Sequence, residues 1–361
     1  MPTLLFATAL VGASCSGSSD GTSDADANSG GSGGSAASGG ASNTGGQAAT
    51  GGGSATGGAS GNSFTCPTVT PGAVPSLPKT TALLADAPNL PGESEGNGFL
   101  EGAIWLDGSL YVSQLRTWGA PPPSRVLKLN GTTLEEFIPD AGTNGLFPGD
   151  GELLGASHIS QGIIRLGLAA PHTKTVVVDE YDTKKFNSPN DLVVAPNGDI
   201  FFTDPTYQCG NADATCEQGA ANKRVYRFAD GVVSTVASTH DQPNGIALSP
   251  DGNTLYVAGS GPLEKFPLAD GVPGDRAEFA ASLTGIDGLT VDCAGNVYAS
   301  AHSQQNVAVV KPDGTVLADR ITVGANVTNV AFGGPNHTTL YVTTYSKALH
   351  SVELDVPGYP Y

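Results

Sequence analysis

From about residue 80 onward the chain is written as short runs of alternating apolar and polar residues, each introduced by a turn of the Asp/Asn-Gly type. The recurring unit reads WLDGSLYVSQ at 105–114, APNGDIFFTD at 195–204, SPDGNTLYVAG at 249–259, DCAGNVYAS at 292–300 and GGPNHTTLYVTT at 333–344. Alternation with a period of two predicts strands with one buried face. The turn glycine or its equivalent falls at 108, 198, 252, 295 and about 337, so the separations are 90, 54, 43 and about 42. A period near 45, with one unit lacking a clear signature, divides the roughly 280 residues of this region into about six units. Repeats of that length with several strands each predict an all-β, six-bladed β-propeller in which four-stranded blades surround a central channel. No apolar stripe of helical period runs longer than about ten residues, because Gly or Pro interrupts nearly every candidate.

Composition divides the chain differently. Sixteen of the 50 glycines fall between Ser16 and Asn62, a stretch with no aromatic residue, no aliphatic side chain larger than Ala and no Lys or Arg. Such a segment buries too little apolar surface to offset its ordering entropy, and it reads as a disordered Gly/Ser-rich tether with a span of about 35 to 40 Å. The expected organisation is an export segment over 1–15, the tether over 16–78 and the propeller over 79–361. Leu4 to Val11 form a short apolar run, followed by Gly12-Ala13-Ser14-Cys15, small residues before a cysteine as at the processing site of a bacterial lipoprotein. Gly12 stands where a Leu is usual and no basic residue precedes the run. Cys15 is therefore the lipidation candidate, and an exported, periplasmic or cell-surface protein is expected, touching membrane only through that anchor. The other four cysteines suit an oxidising compartment. Of three possible pairings, a local staple of Cys209 with Cys216 leaves Cys66 to clip the start of the domain to Cys293.

Charge narrows the partners. Sixteen basic against 34 acidic residues give a formal net charge of −18, so a phosphate backbone would be repelled and no nucleic acid is expected. Four residue pairs stand six or seven positions ahead of a repeat turn: Glu101-Gly102, Asn190-Asp191, Asn244-Gly245 and Asp287-Gly288. Singly, such pairs are ordinary turn formers. In phase, they start equivalent inner strands and direct two carboxylates and two carboxamides at the channel mouth, an oxygen-rich set suited to a hard divalent cation. Ca²⁺ is favoured on that chemistry, with Mg²⁺, Mn²⁺ or Zn²⁺ as alternatives. Gly30 to Gly34 satisfy GxSxG formally but lie in the tether, where no nucleophile elbow forms. The six His show no zinc-protease spacing.

The segment FNSPNDLVVAPNGDIFFTDPTY at 186–207, with EGAIW at 101, QPNGIALSPDGNTLYVA at 242, IDGLTVDCAGNVYAS at 286 and TNVAFGGPNHTTLYVTT at 328, resembles the gluconolactonase branch of the senescence marker protein/gluconolactonase family. The resemblance spans about residues 95 to 355. It implies a six-bladed propeller acting as a metal-dependent lactone hydrolase on a small lactone or ester, and a monomer is expected. It also implies Glu101, Asn190, Asn244 and Asp287 as metal-site residues, with Asp287 the proton acceptor and donor. Asn190, His158 and Asp191 are the candidate substrate contacts. Ser188 replaces an Arg that some relatives use to grip a sugar acid, and QCGNADATCEQGAANK at 208–223 is an unusual insertion beside the site. Two alternatives remain open at this point: an arylesterase/paraoxonase-like enzyme, and a noncatalytic propeller that keeps its metal for stability.

Overall fold

The alternating runs pair, in a computed structural model of the chain, into six sheets of four or five strands and one short hairpin, antiparallel except where Lys79–Thr80 joins Ile321–Thr322 in parallel at the edge of the fifth blade, with no α-helix among the described residues. The structure describes residues 64–91, 98–116, 124–209, 216, 218, 222–237 and 241–361. The expected export segment with Cys15, and the tether up to residue 63, lie outside these.

In chain order the innermost strands of the blades are Phe99–Leu106, Thr143–Pro148, Leu192–Val194, Pro243–Leu248, Ile286–Val291 and Val327–Gly333. Each packs against the inner strands of the blades before and after it, and the sixth packs against the first, so the ring closes. Closure is made by a strand from far away in sequence. Ala82–Asp86 forms the outermost strand of the sixth blade, pairing antiparallel with Ala348–Glu353, so the first and last parts of the domain share one sheet. This leaves no seam at which the ring could open without breaking a ladder.

The second blade, Thr143–Pro148, Glu152–Ser157, Gly162–Gly167 and Lys174–Val178, is the unit without a clear repeat signature. Its turn is Gly149-Asp150-Gly151, flanked by ELLGAS in place of an aromatic-rich run.

Between adjacent blades, apolar residues from facing sheets form the core. Phe186, Phe201, Phe202, Tyr226 and Phe266 fill one such layer, and Val291, Val297, Ala299, Ala308 and Val310 fill another.

Residues 64–78, which precede the boundary expected at residue 79, are tied to the propeller. Cys66 is joined to Cys293 with Cα atoms 5.6 Å apart, and Phe64 stacks on His337 at 4.3 Å between ring centroids. Gly72 N donates to Ala294 O at 2.8 Å, Asn296 Nδ2 donates to Ala73 O at 2.7 Å, and the Ser76 N–H and hydroxyl both reach the Asp355 carboxylate. These long-range bonds satisfy the backbone of 64–78 in a way local composition does not reveal. The second disulfide joins Cys209 to Cys216, with Cα atoms 5.5 Å apart.

Candidate functional site

Five of the inner strands carry a β-bulge at the same place. The register slips between Glu101 and Ile104, Thr143 and Leu146, Pro243 and Ile246, Ile286 and Leu289, and Val327 and Val330. The third blade reaches the same arrangement by another route: Asn190 N donates to Thr203 O and Thr203 N donates to Asp191 O, both at 3.0 Å, so two residues face one. A bulge re-aims the side chains at its position. Here it produces a ring of six side chains, Glu101, Asn144, Asn190, Asn244, Asp287 and Thr328, at the floor of a cavity of about 330 Å³.

The four residues expected at the channel mouth are thus brought together, and two members of the ring, Asn144 and Thr328, are additional. Asn144-Gly145 repeats the Asn244-Gly245 pair, a signal present in the sequence but hidden by the unusual turn of the second blade. His158 also lines the cavity, almost fully buried, as do Tyr207, Arg116, His302 and Tyr345.

The motif around Asn190 has a structural explanation. Asp204, fully buried, accepts the N–H of Asn187 at 2.9 Å and that of Ser188 at 2.8 Å, while Ser188 Oγ donates to Pro205 O at 2.8 Å. FTDP therefore clamps the NSPN turn that presents Asn190, and Ser188 serves the clamp.

Asp191 occupies a different place from the one expected of a substrate contact. It lies one layer below the ring, where it lines a small inner cavity of about 40 Å³ with Gly102 and Asn329. Its Oδ1 accepts Leu192 N at 2.9 Å and its Oδ2 accepts Ile246 N at 3.3 Å. Glycine at 145 leaves the room it needs, since a Cβ there would collide with the Asp191 carboxylate. In the same layer a Cβ on Gly288 would collide with the Asn329 side chain. The far end of this inner cavity is closed by Tyr361, whose hydroxyl donates to Leu248 O at 2.8 Å.

Charge on the floor is concentrated. Burial, then the nearby Asp287 and Asp191, hold the Glu101 carboxyl well above the usual range, against the opposing N–H of Gly102 and a hydrogen bond from Asn329. Burial likewise raises Asp287, opposed by hydrogen bonds from His302 and Asn244, and lifts Asp191 to about 7. Burial alone pushes His158 down to about 4, so its ring is neutral at pH 7. His302 moves the other way, raised chiefly by its hydrogen bond to Asp287.

Among the described residues no three His, Cys, Asp or Glu side chains form a metal cluster by themselves. The donor set instead combines two carboxylates with carboxamides. Asp287 Oδ1 and Asn144 Oδ1 are buried without a hydrogen-bond partner. Unpartnered oxygens beside mutually repelling carboxylates are costly unless a cation or proton compensates them, and oxygen-only donors match a hard divalent ion.

A model of the SMP-30/Gluconolactonase/LRE-like region matches residues 101–346, most of the chain and all of the polar ring. The chain belongs to the SMP-30/gluconolactonase/LRE-like family. Within it, the chain is similar to the gluconolactonase of Zymomonas mobilis, 29% identical over 281 residues that cover 70% of this chain and 76% of that one. Pentonolactonase XacC of Haloferax volcanii is 32% identical over 163 residues, covering 43% of this chain and 52% of its own length. Among solved structures, a gluconolactonase of Xanthomonas campestris superposes with a TM-score of 0.63 at 26% identity, covering 82% of this chain and 99% of that chain. The family domain accounts for every member of the polar ring, whereas the segment before residue 101 lies outside the matched region.

Proposed function

We propose that the protein is a lactone hydrolase of the gluconolactonase type, opening sugar lactones with a divalent cation held by Glu101, Asn190, Asn244 and Asp287. The observation that carries this reading is the buried, unpartnered Asp287 Oδ1 within a ring of oxygen donors at the floor of the cavity. The names of its relatives, gluconolactonase and pentonolactonase, support the substrate class. Ca²⁺ is the first choice of ion on the donor chemistry. When bound, such an ion supplies Lewis-acid polarisation of the lactone carbonyl and offsets the crowded negative charge.

The side chains supply the rest. Asp287 takes a proton from the attacking water and returns it to the ring oxygen as the C–O bond breaks, leaving a hydroxy acid and no covalent intermediate. His158, neutral and with an unpartnered Nδ1, meets a substrate hydroxyl at the buried side of the cavity. Tyr207, whose phenol burial holds above its ordinary range, stays protonated and hydrogen-bonds with the Asn244 side chain and Ser260. Phe99 and Tyr345, stacked at 4.9 Å between ring centroids, give an apolar face for the carbon side of a sugar ring. Asp191 supports the floor from below.

We also propose that the protein is exported and anchored through Cys15; the two disulfides support an oxidising compartment. Acid release from a panel of sugar lactones and aryl esters, followed by pH-stat for the wild type and Asp287→Ala, tests the activity. Lactone turnover above the spontaneous rate that is lost in the variant is expected, and absence of wild-type turnover across the panel refutes the enzyme reading.

A further inference from the structure

His302 follows the second strand of the fifth blade, Val297–Ala301, and its ring stands beside Asp287. No sequence motif marks it. Its hydrogen-bond surroundings nevertheless fix which nitrogen carries the proton. Nδ1 lies 2.9 Å from Val327 O and 3.3 Å from Asp287 Oδ2. A carbonyl oxygen only accepts, so Nδ1 bears hydrogen and is shared between that carbonyl and the carboxylate.

The other nitrogen is fixed from outside the cavity. Gln305 Nε2 donates to Asn326 Oδ1 at 3.1 Å, which turns the Asn326 amide so that its Nδ2 faces the ring, 3.2 Å from His302 Nε2. An amide NH₂ only donates, so Nε2 receives it through its lone pair. A proton on Nε2 would set two donors against each other. Tyr345 meets the ring edge-on at 5.8 Å and 80° and limits its rotation. A relay of defined polarity thus runs from Gln305 through Asn326 and His302 to Asp287.

Its end is asymmetric. Asp287 Oδ2 is engaged by the imidazole N–H, while Oδ1 is buried and unpartnered. We propose that His302 is a positioning residue, carrying hydrogen on Nδ1 and receiving the Asn326 amide at Nε2, that occupies Oδ2 of Asp287 and leaves Oδ1 as the oxygen turned to the reacting centre. The proposal rests on the lactonase reading for what reacts there, but the tautomer it requires is a property of the protein at rest. An orienting partner of this kind is worth about 10- to 100-fold in activity when removed.

The test compares His302→Asn, whose side-chain N–H stands near the Nδ1 position, with His302→Leu, which has no donor, in the full chain with added Ca²⁺. On glucono-δ-lactone, His302→Leu is expected to lose about 10- to 100-fold in kcat with KM within a few-fold of wild type. His302→Asn should recover most of the rate. Equal losses in both variants would mean a merely structural residue, and wild-type kcat in His302→Leu would remove any role. Nitrogen-15 NMR of ¹⁵N-histidine protein at pH 7.5, assigned with the His302 variants, decides the resting state independently of turnover. A protonated Nδ1 beside an unprotonated Nε2 is expected, and the opposite tautomer or an imidazolium overturns the proposal. If wild type opens no lactone yet the NMR result holds, the lactonase reading fails while the dyad stands.

Discussion

Glu101, Asn144, Asn190, Asn244, Asp287 and Thr328 face the main cavity, while Gly102, Asp191 and Asn329, each following one of these residues, line the inner cavity beneath it. Gly145 abuts Asp191, Gly288 abuts Asn329, and Gly245 abuts Gly288. The upper layer keeps polar atoms without partners, at Asn144 Oδ1, Asp287 Oδ1 and, beside them, His158 Nδ1. The side chains of the lower layer have their partners. Asp191 takes two backbone N–H groups and Asn329 Oδ1 accepts Val330 N at 2.7 Å. Those two side chains come from the third and sixth blades, opposite each other in the ring, and glycines of the lower layer leave them room. One bulge per blade therefore yields two adjacent residues with opposite duties, one held ready for a ligand and the other sealing the channel under it. Unsatisfied polar groups belong where function needs them, and their cost is borne by the closed ladders around them.

That contrast sets the order of the expected effects. Asp287→Ala, in the upper layer, should lower kcat by about 10²- to 10⁴-fold. The metal-free variant should melt no lower than wild type in calorimetry, because one of three crowded carboxylates is gone. A large fall in melting temperature would show that the upper layer also carries the fold. His158 gives the next largest effect, and it appears in stability. Its folded-state value of about 4 lies below the ordinary 6.5, so the unfolded chain binds a proton that the folded chain refuses. Stability from this group is full above pH 6.5 and is lost as pH falls towards 4. By urea titration, wild type should lose up to about 3 kcal/mol more than His158→Gln over that window. Parallel curves would place His158 in a wetter setting than its burial indicates. Gly288→Val, in the lower layer, should cost about 1 to 3 kcal/mol by overpacking against Asn329. Its remaining folded fraction should keep a near-normal KM, and unchanged stability would deny that the channel is sealed there.

Much of this was legible in the sequence where a local rule acts alone. The turn glycines at 108, 198, 252 and 295 marked the blades, and the Glu101, Asn190, Asn244 and Asp287 pairs marked the ring. Asn144 carries no such mark because the second blade turns through Gly149-Asp150-Gly151 and lacks the aromatic run that flags its neighbours. The closing strand Ala82–Asp86 and the strap from Phe64 escaped for another reason. Their partners, at 348–353 and at 293–296, are fixed by the closure of the ring and by a disulfide, which no local pattern encodes. His302 is intermediate. Nothing in SAHSQQN distinguishes it, and its role emerges only when blade curvature carries Asn326 and Val327 to its two nitrogens.

The most direct test of the account is the rate of lactone opening in chelator-treated wild-type protein titrated with Ca²⁺, and then with Mg²⁺, Mn²⁺ and Zn²⁺, beside Asn244→Ala. The ring of oxygen donors predicts that stripping the cation reduces the rate to the spontaneous background, that one hard cation restores it saturably, and that Asn244→Ala moves the midpoint to about tenfold higher concentration or beyond. Full turnover in the stripped protein, unaffected by any of the four ions, would contradict it.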